Sequence, residues 1–415
     1  MKSIHSVAKE LLTNPELLQA EMAWLCSDQA KAAMELGEEL GRMDSTAQFL
    51  DLLLDAAPHC SSASLVSGYI QGLLETHPHH ADAVNAWLDE NQEKHPQLAF
   101  EIAYAGGAAT KALERALSLV DAGRLPVSFL YWFVDGVGTR ALTPAEVAQI
   151  LQRMLNAIQQ GDPQTARRAI SFVAYDRLGV KGALKTLLQD PEAKPLIRKL
   201  LEATVQDGGG VSHVWTNILR ALIETDPEDA IGLALRGLLS DSMVHQESCH
   251  DFLTEAAGSH PELVMGRFGD MVLSDEDQRL SAFAKGIFLE LPVDVVSRWL
   301  EEHGVEGARR IARHLPAPFM DEEGNPVVPP NTAYVLKTFE KDSQVFQAFC
   351  AGVHAYEMFW GDLYTSLKER ITHARKFLNH PLRRIREWAA LEIEEAKQMM
   401  KQWEDIEKEA QMDEE

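Results

Sequence analysis

Apolar residues along this chain recur three and four positions apart, the spacing that lines one face of an α-helix. Leu65, Tyr69 and Leu73, with Ile70 and Leu74, form one such stripe. Val147, Ile150, Leu151, Met154, Leu155 and Ile158 form a second, and Val264, Phe268, Met271 and Val272 a third. The intervening positions are filled largely by Ala, Glu, Gln, Lys and Arg, which lose little conformational freedom in a helix. No run of alternating β-branched residues competes with this pattern. The extended stretch Asn325 to Pro330 carries prolines that a central strand cannot hold. The pattern therefore predicts an all-α fold.

The breaks between stripes share one chemistry. His77-Pro78, His95-Pro96, Asp162-Pro163, Asp190-Pro191, Asp226-Pro227, His260-Pro261 and His380-Pro381 each precede a fresh amphipathic run. Proline is tolerated in a first helical turn, where its missing N–H would have no intrahelical partner. An Asp before it can cap that end. From Asp162 onward these turns recur at roughly the length of a two-helix repeat, about 30 to 36 residues. With no shared consensus, they predict degenerate helical hairpins, and an irregular α-solenoid built from them. A solenoid leaves an extended concave surface for a partner.

Two larger breaks divide the chain. Asp207-Gly208-Gly209-Gly210 is expected as a flexible joint, because three glycines sit poorly in a helix interior. Leu315 to Asn331 carries five prolines and Gly324-Asn325, as a long ordered loop or linker would. The expected organisation is an N-terminal helical solenoid over 1–206, a second helical-hairpin segment over 211–315, a Pro-rich linker over 316–331 and a C-terminal helical module over 332–415. That last module gathers Phe339, Phe346, Phe349, Tyr356, Phe359, Trp360 and Tyr364. Its final helix carries one apolar seam through Ala396, Met399, Trp403, Ile406 and Ala410.

Residues 380 to 390, His-Pro-Leu-Arg-Arg-Ile-Arg-Glu-Trp-Ala-Ala, resemble the helix start of a HEAT-type repeat. The segment from Phe339 through Phe359-Trp360-Gly361 to the acidic C-terminal end resembles helical modules of some bacterial conflict-system proteins. That resemblance implies a HEAT-like solenoid with a C-terminal helical cap, and a non-catalytic sensor or scaffold. It also implies a context of bacterial defence or a toxin–antitoxin-like system. No residue role carries over from it.

The charge balance narrows the partners. Against 39 Lys and Arg stand 63 Asp and Glu, a net charge of −24. Such a field repels phosphate backbones and anionic membranes and favours another protein as partner. Residues 1 to 104 alone hold sixteen acids and five bases, enough to steer a basic partner or to serve solubility. Four dispersed cysteines, Cys26, Cys60, Cys249 and Cys350, read as reduced thiols and point to the cytoplasm. The N-terminal residues lack the apolar stretch of a signal peptide. Leu125 to Val134 reads as core, being too short to span a bilayer.

One stretch reverses the charge. Residues 367 to 386 hold Lys368, Arg370, Arg375, Lys376, Arg383, Arg384 and Arg386 against the single acid Glu369. These seven are the candidate partner- or anion-binding residues. The alternative is a solvated face neutralised by the chain's own acids. The same stretch motivates the alternative function, a HEAT-like nucleic-acid-binding or DNA-repair protein.

The other candidate chemistries are thinner. His59-Cys60 with His77, His79 and His80, and His245 with Cys249 and His250, concentrate possible ligands without a full zinc set. Capping histidines and a buried thiol account for them. Asp275-Glu276-Asp277 and Asp321-Glu322-Glu323 read as helix-start or turn charges. Gly106-Gly107 and Gly208 to Gly210 lack the residues of a phosphate loop. No catalytic, metal or cofactor motif is expected, and the leading expectation is a non-enzymatic protein-binding scaffold or sensor.

Overall fold

The structure, a computed structural model, describes residues 3–106, 109–135, 142–174, 183–274, 281–354 and 363–413. It is all-α apart from one two-stranded hairpin among the described residues. The chain divides into two compact units, Met1–Ala203 and Thr204–Glu415.

The first unit contains α1 (Ile4–Thr13), α2 (Pro15–Leu25), α3 (Ala33–Met43), α4 (Leu50–Ala56), α5 (Ser64–Thr76), α6 (Ala81–Asn91), α7 (Pro96–Ala105) and α8 (Ala109–Asp121). It continues with a 3₁₀ turn at Val127–Tyr131, α9 (Trp132–Asp135), α10 (Pro144–Gln159), α11 (Pro163–Ala174), α12 (Ala183–Gln189) and α13 (Ala193–Ala203). The second contains α14 (Ser212–Leu222), α15 (Pro227–Gly237), α16 (Met243–Ser259), α17 (Pro261–Leu273), α18 (Ser281–Glu290) and α19 (Val293–Ala312). After the hairpin β1 (Phe319–Met320) and β2 (Pro326–Val327) come α20 (Pro330–Thr338), α21 (Ser343–His354), α22 (Leu363–Lys376) and α23 (Arg383–Asp413).

The proline turns work as their chemistry requires. Proline opens α7, α11, α15 and α17 at the positions read from the sequence. Asp162 Oδ1 accepts from the N–H groups of Gln164 and Thr165 at 3.0 and 3.2 Å. The Thr165 hydroxyl donates to Oδ2 and holds the Asp162 carboxyl below its ordinary range. Asp190 caps the approach to α13 in the same way. Asp226 makes no side-chain cap bond to α15.

Packing follows a recurring rule. In the first unit α3 lies against α1 and α5, and α5 against α7. In the second, α16 lies against α14 and α18, α17 against α15 and α19, and α19 against α21. Each of these helices therefore meets one two places along the chain, and α16, α17 and α19 meet an immediate neighbour as well. Arg42–Glu75, Asp121–Arg153, Arg220–Glu255, Glu228–Arg267 and Glu262–Arg298 pair side chains 32 to 39 residues apart. Exposed pairs of this kind contribute about 0–1 kcal/mol each. The core contributes more: Leu65, Tyr69, Ile70, Leu73, Ile150, Leu151, Ile218, Val264 and Phe268 are fully buried. Burial of one such side chain is worth about 1.5–3 kcal/mol.

In the α3–α5 pair the two backbones come into direct contact. A Cβ on Gly37 would lie 2.2 Å from the Leu65 carbonyl, and one on Gly41 2.1 Å from that of Tyr69. Gly68 and Gly72 return the contact against the carbonyls of Met34 and Glu38, at 2.2 and 2.0 Å. Two Gly-x-x-x-Gly faces thus bring backbone against backbone. Beside them the buried Asp44 accepts from the Tyr69 hydroxyl at 2.7 Å and from the Gln48 and Phe49 N–H groups. Burial, followed by this carboxylate, raises the Tyr69 pKa.

The two breaks are both built structure. At Gly208, Gly209 and Gly210 φ is +58°, +64° and +70°, values at which a side chain would be strained. Gly208 and Gly209 are buried, and Asp207 accepts from the Gly209 N–H at 2.7 Å. Residues 316–331, expected as a linker, hold the β1–β2 hairpin, with Phe319 opposite Val327. The stretch is fastened within the second unit. Asn331 donates to the carbonyls of Phe288 and Leu291, and Thr332 to that of Pro316, all within 2.8 Å.

Gly41→Ala and Gly68→Ala are each expected to destabilise the chain by about 1–3 kcal/mol, the range for overpacking. Gly232→Ala, in α15 with nothing within 4 Å of its Cβ position, is expected to stabilise by about 0.5–1 kcal/mol. Urea denaturation followed by circular dichroism gives the order of the three.

Candidate functional site

Most of the basic stretch is spent on the chain itself. Arg384 donates through Nε to the Glu340 carbonyl at 2.8 Å and through Nη1 to Glu387 at 2.7 Å. Its guanidinium also lies over the Phe346 ring, 4.7 Å from the centroid. Arg370 pairs with the buried Glu392 at 2.6 Å, joining α22 to α23. Arg386 donates to the carbonyls of His380 and Pro381. Lys376 reaches the Gly324 carbonyl in the hairpin at 3.0 Å. Lys368 rests on the Tyr364 ring, and Arg383 pairs with Glu387. The Arg375 side chain is exposed, with no ion pair or hydrogen bond to another described residue. Arg383 and Arg384 thus share Glu387, while Arg370, Lys376 and Arg386 each have other partners.

In the seam of α23, Ile385, Ala389, Ile393 and Ala396 are buried, whereas Met399 and Trp403 are exposed. The side chains of Ile406 and Ala410 lie outside the described residues, as do Tyr356, Phe359, Trp360, Gly107 and the Asp275-Glu276-Asp277 run.

The histidines are placed by packing. His245 is buried, donates through Nε2 to the Val205 carbonyl at 3.1 Å and lies edge-on to Trp215. Its Nδ1 faces Gly208, where a Cβ would come within 2.7 Å. Burial lowers the His245 pKa. Cys249, 3.7 Å from the same ring, is pushed up to about 12 by burial. His77 and His80 contact the carbonyls of Arg42 and Ser45. Asp321 accepts from the Asn325 N–H in the hairpin turn. Among the described residues no three His, Cys, Asp or Glu side chains gather as metal ligands. Nor is any helix among them long and apolar enough to cross a membrane.

A concave surface lies in the first unit. A groove of about 1140 Å³ runs along α5 and α7, bounded by residues 57–64 on one side and by Arg124 to Trp132 on the other. Its carboxylates are Asp28, Glu75 and Glu101, and its one guanidinium, Arg124, stands 3.7 Å from Glu93. Glu75 accepts from Arg42, which also pairs with Glu38 and Glu39. His95 and Gln71 line the groove as well.

Trp132 forms its aromatic edge. The residue is 43% exposed yet fixed on three sides. Phe129 stacks on its ring, and Phe100 and Tyr104 meet it edge-on at 5.5 and 5.8 Å. The Tyr104 hydroxyl also donates to the Trp132 carbonyl at 2.8 Å. Leu125 to Val134, expected as core, does bury Leu125, Leu130 and Phe133, but it turns this indole outward. Sequence alone does not reveal the groove, because its walls come from four separated stretches. The clustering of Phe100, Tyr104, Phe129 and Trp132 at helical spacing is the one signal that could have marked it.

Arg384→Ala is expected to cost about 1.5–3 kcal/mol, the range for hydrogen bonds to charged groups. Arg375→Ala should stay within about 0.5 kcal/mol of the parent. Urea midpoints measure both, and equal values would contradict the structural role of Arg384. No protein-family model, curated protein or solved structure matches the chain.

Proposed function

We propose that this protein is a non-enzymatic scaffold that binds another protein, with its helical hairpins stacked as an irregular HEAT-like solenoid. The observation that carries this is that many helices, among them α3, α5, α16, α17 and α19, contact the next but one, with ion pairs between residues 32 to 39 apart. Hairpins stacked in that way bury one shared core and leave extended surfaces for macromolecules. The groove along α5 and α7 supports it further: it is open and larger than most small-molecule pockets. Four free cysteines suit a reducing, cytoplasmic setting. The likeness of residues 339–415 to conflict-system modules makes a bacterial defence protein the first partner to try.

The test uses the full chain as bait in lysate from its own host, treated with nuclease. The expected result is one protein retained in fixed stoichiometry at physiological salt. No retained protein, together with steeply salt-dependent retention of the purified chain on DNA, would point to the alternative carried by residues 368–386.

A further inference from the structure

We propose that the groove of the first unit receives an extended segment of a partner protein bearing Lys or Arg side chains, anchored beside Trp132. This deepens the protein-binding role above and rests on it. The first ground is charge complementarity. Asp28, Glu75 and Glu101 line the groove, and its sole guanidinium, Arg124, already faces Glu93. Arg42, which pairs with Glu75, is shared among Glu38, Glu39 and Glu75, and His5 meets Glu39, so three carboxylates share one permanent cation. The surrounding residues 1 to 104 carry a net charge of −11. A basic segment is therefore drawn in and an acidic one repelled.

The second ground is the anchor. An indole held by Phe100, Tyr104 and Phe129 is already ordered, so a partner that contacts it loses little side-chain entropy. Exposed, preordered tryptophans are the usual centres of binding energy, and Arg or Lys beside an indole adds cation–π attraction. The third ground is shape and polarity. An open trough running along two helices suits a chain segment more than an enclosed small molecule. Gln71, whose side chain has no hydrogen-bond partner among the described residues, offers a carboxamide that can both donate to and accept from a peptide backbone.

The probe is a fluorescein-labelled peptide of alternating lysine and leucine, with a glutamate–leucine peptide of equal length as its counterpart. Fluorescence anisotropy with the full-length protein is read at about 50 mM and about 300 mM NaCl, which changes screening of exposed charge. The basic peptide should bind, more weakly at the higher salt, and the acidic one should not. Asp28→Lys/Glu101→Lys and Trp132→Ala should each weaken binding by about tenfold. Asp28→Asn/Glu101→Gln, which keeps side-chain size, should weaken it by a smaller factor. Glu301→Lys/Glu302→Lys makes the same change in net charge on exposed positions of α19 and should leave the affinity within about twofold.

Failure of the basic peptide to bind would overturn the inference. So would equal losses in the α19 control, which would reduce the effect to net charge. Dimerisation of the protein that Trp132→Ala abolishes would overturn it too, by seating a second copy in the groove. If the host lysate yields a protein partner while the peptide fails, the scaffold role stands and the groove assignment alone falls.

Discussion

No helix of ordinary length in water hides its own apolar stripe, and most helical stability comes from what that stripe is packed against. In this chain several helices, α3, α5, α16, α17 and α19 among them, are packed against the helix two places along. Much of the core is therefore assembled from helices close in sequence. The constraint is tight between α3 and α5. There glycines at 37, 41, 68 and 72 leave no Cβ at those four positions, and the backbones meet. The hydrogen-bonded Asp44–Tyr69 pair lies at the end of that crossing.

Much of this was readable in the residues. Proline marks helix starts because the N–H it lacks has no intrahelical partner there, and Pro96, Pro163, Pro227 and Pro261 each open a helix. The stripes at 65–74 and 147–158 fell where the core lies because three-and-four spacing leaves little choice of face. Glycine was harder to read. Gly208 to Gly210 suggested a loose joint, yet the turn is partly buried and closes against His245. The glycines of α3 and α5 sit inside helices, where their cost in propensity is offset only by a contact that one strand of sequence does not display.

Function was less legible than fold for a physical reason. Linear charge density made residues 368–386 the most conspicuous feature. A count of cations, however, cannot see that Arg384 is bonded to the Glu340 carbonyl, or that Glu392 is buried against Arg370. The groove of the first unit has the opposite character. None of its residues stands out singly, and its negative sign and aromatic edge arise only when residues 28, 57–75, 95–106 and 124–132 are brought together.

If stability within each unit is carried by neighbours one and two helices away, damage should stay local. Hydrogen exchange of the full chain, compared with Phe252→Ala in the core of α16, measures this directly. Faster exchange confined to α14 through α18 is the predicted result. An equal rise across every helix of the second unit, α22 and α23 included, would contradict it.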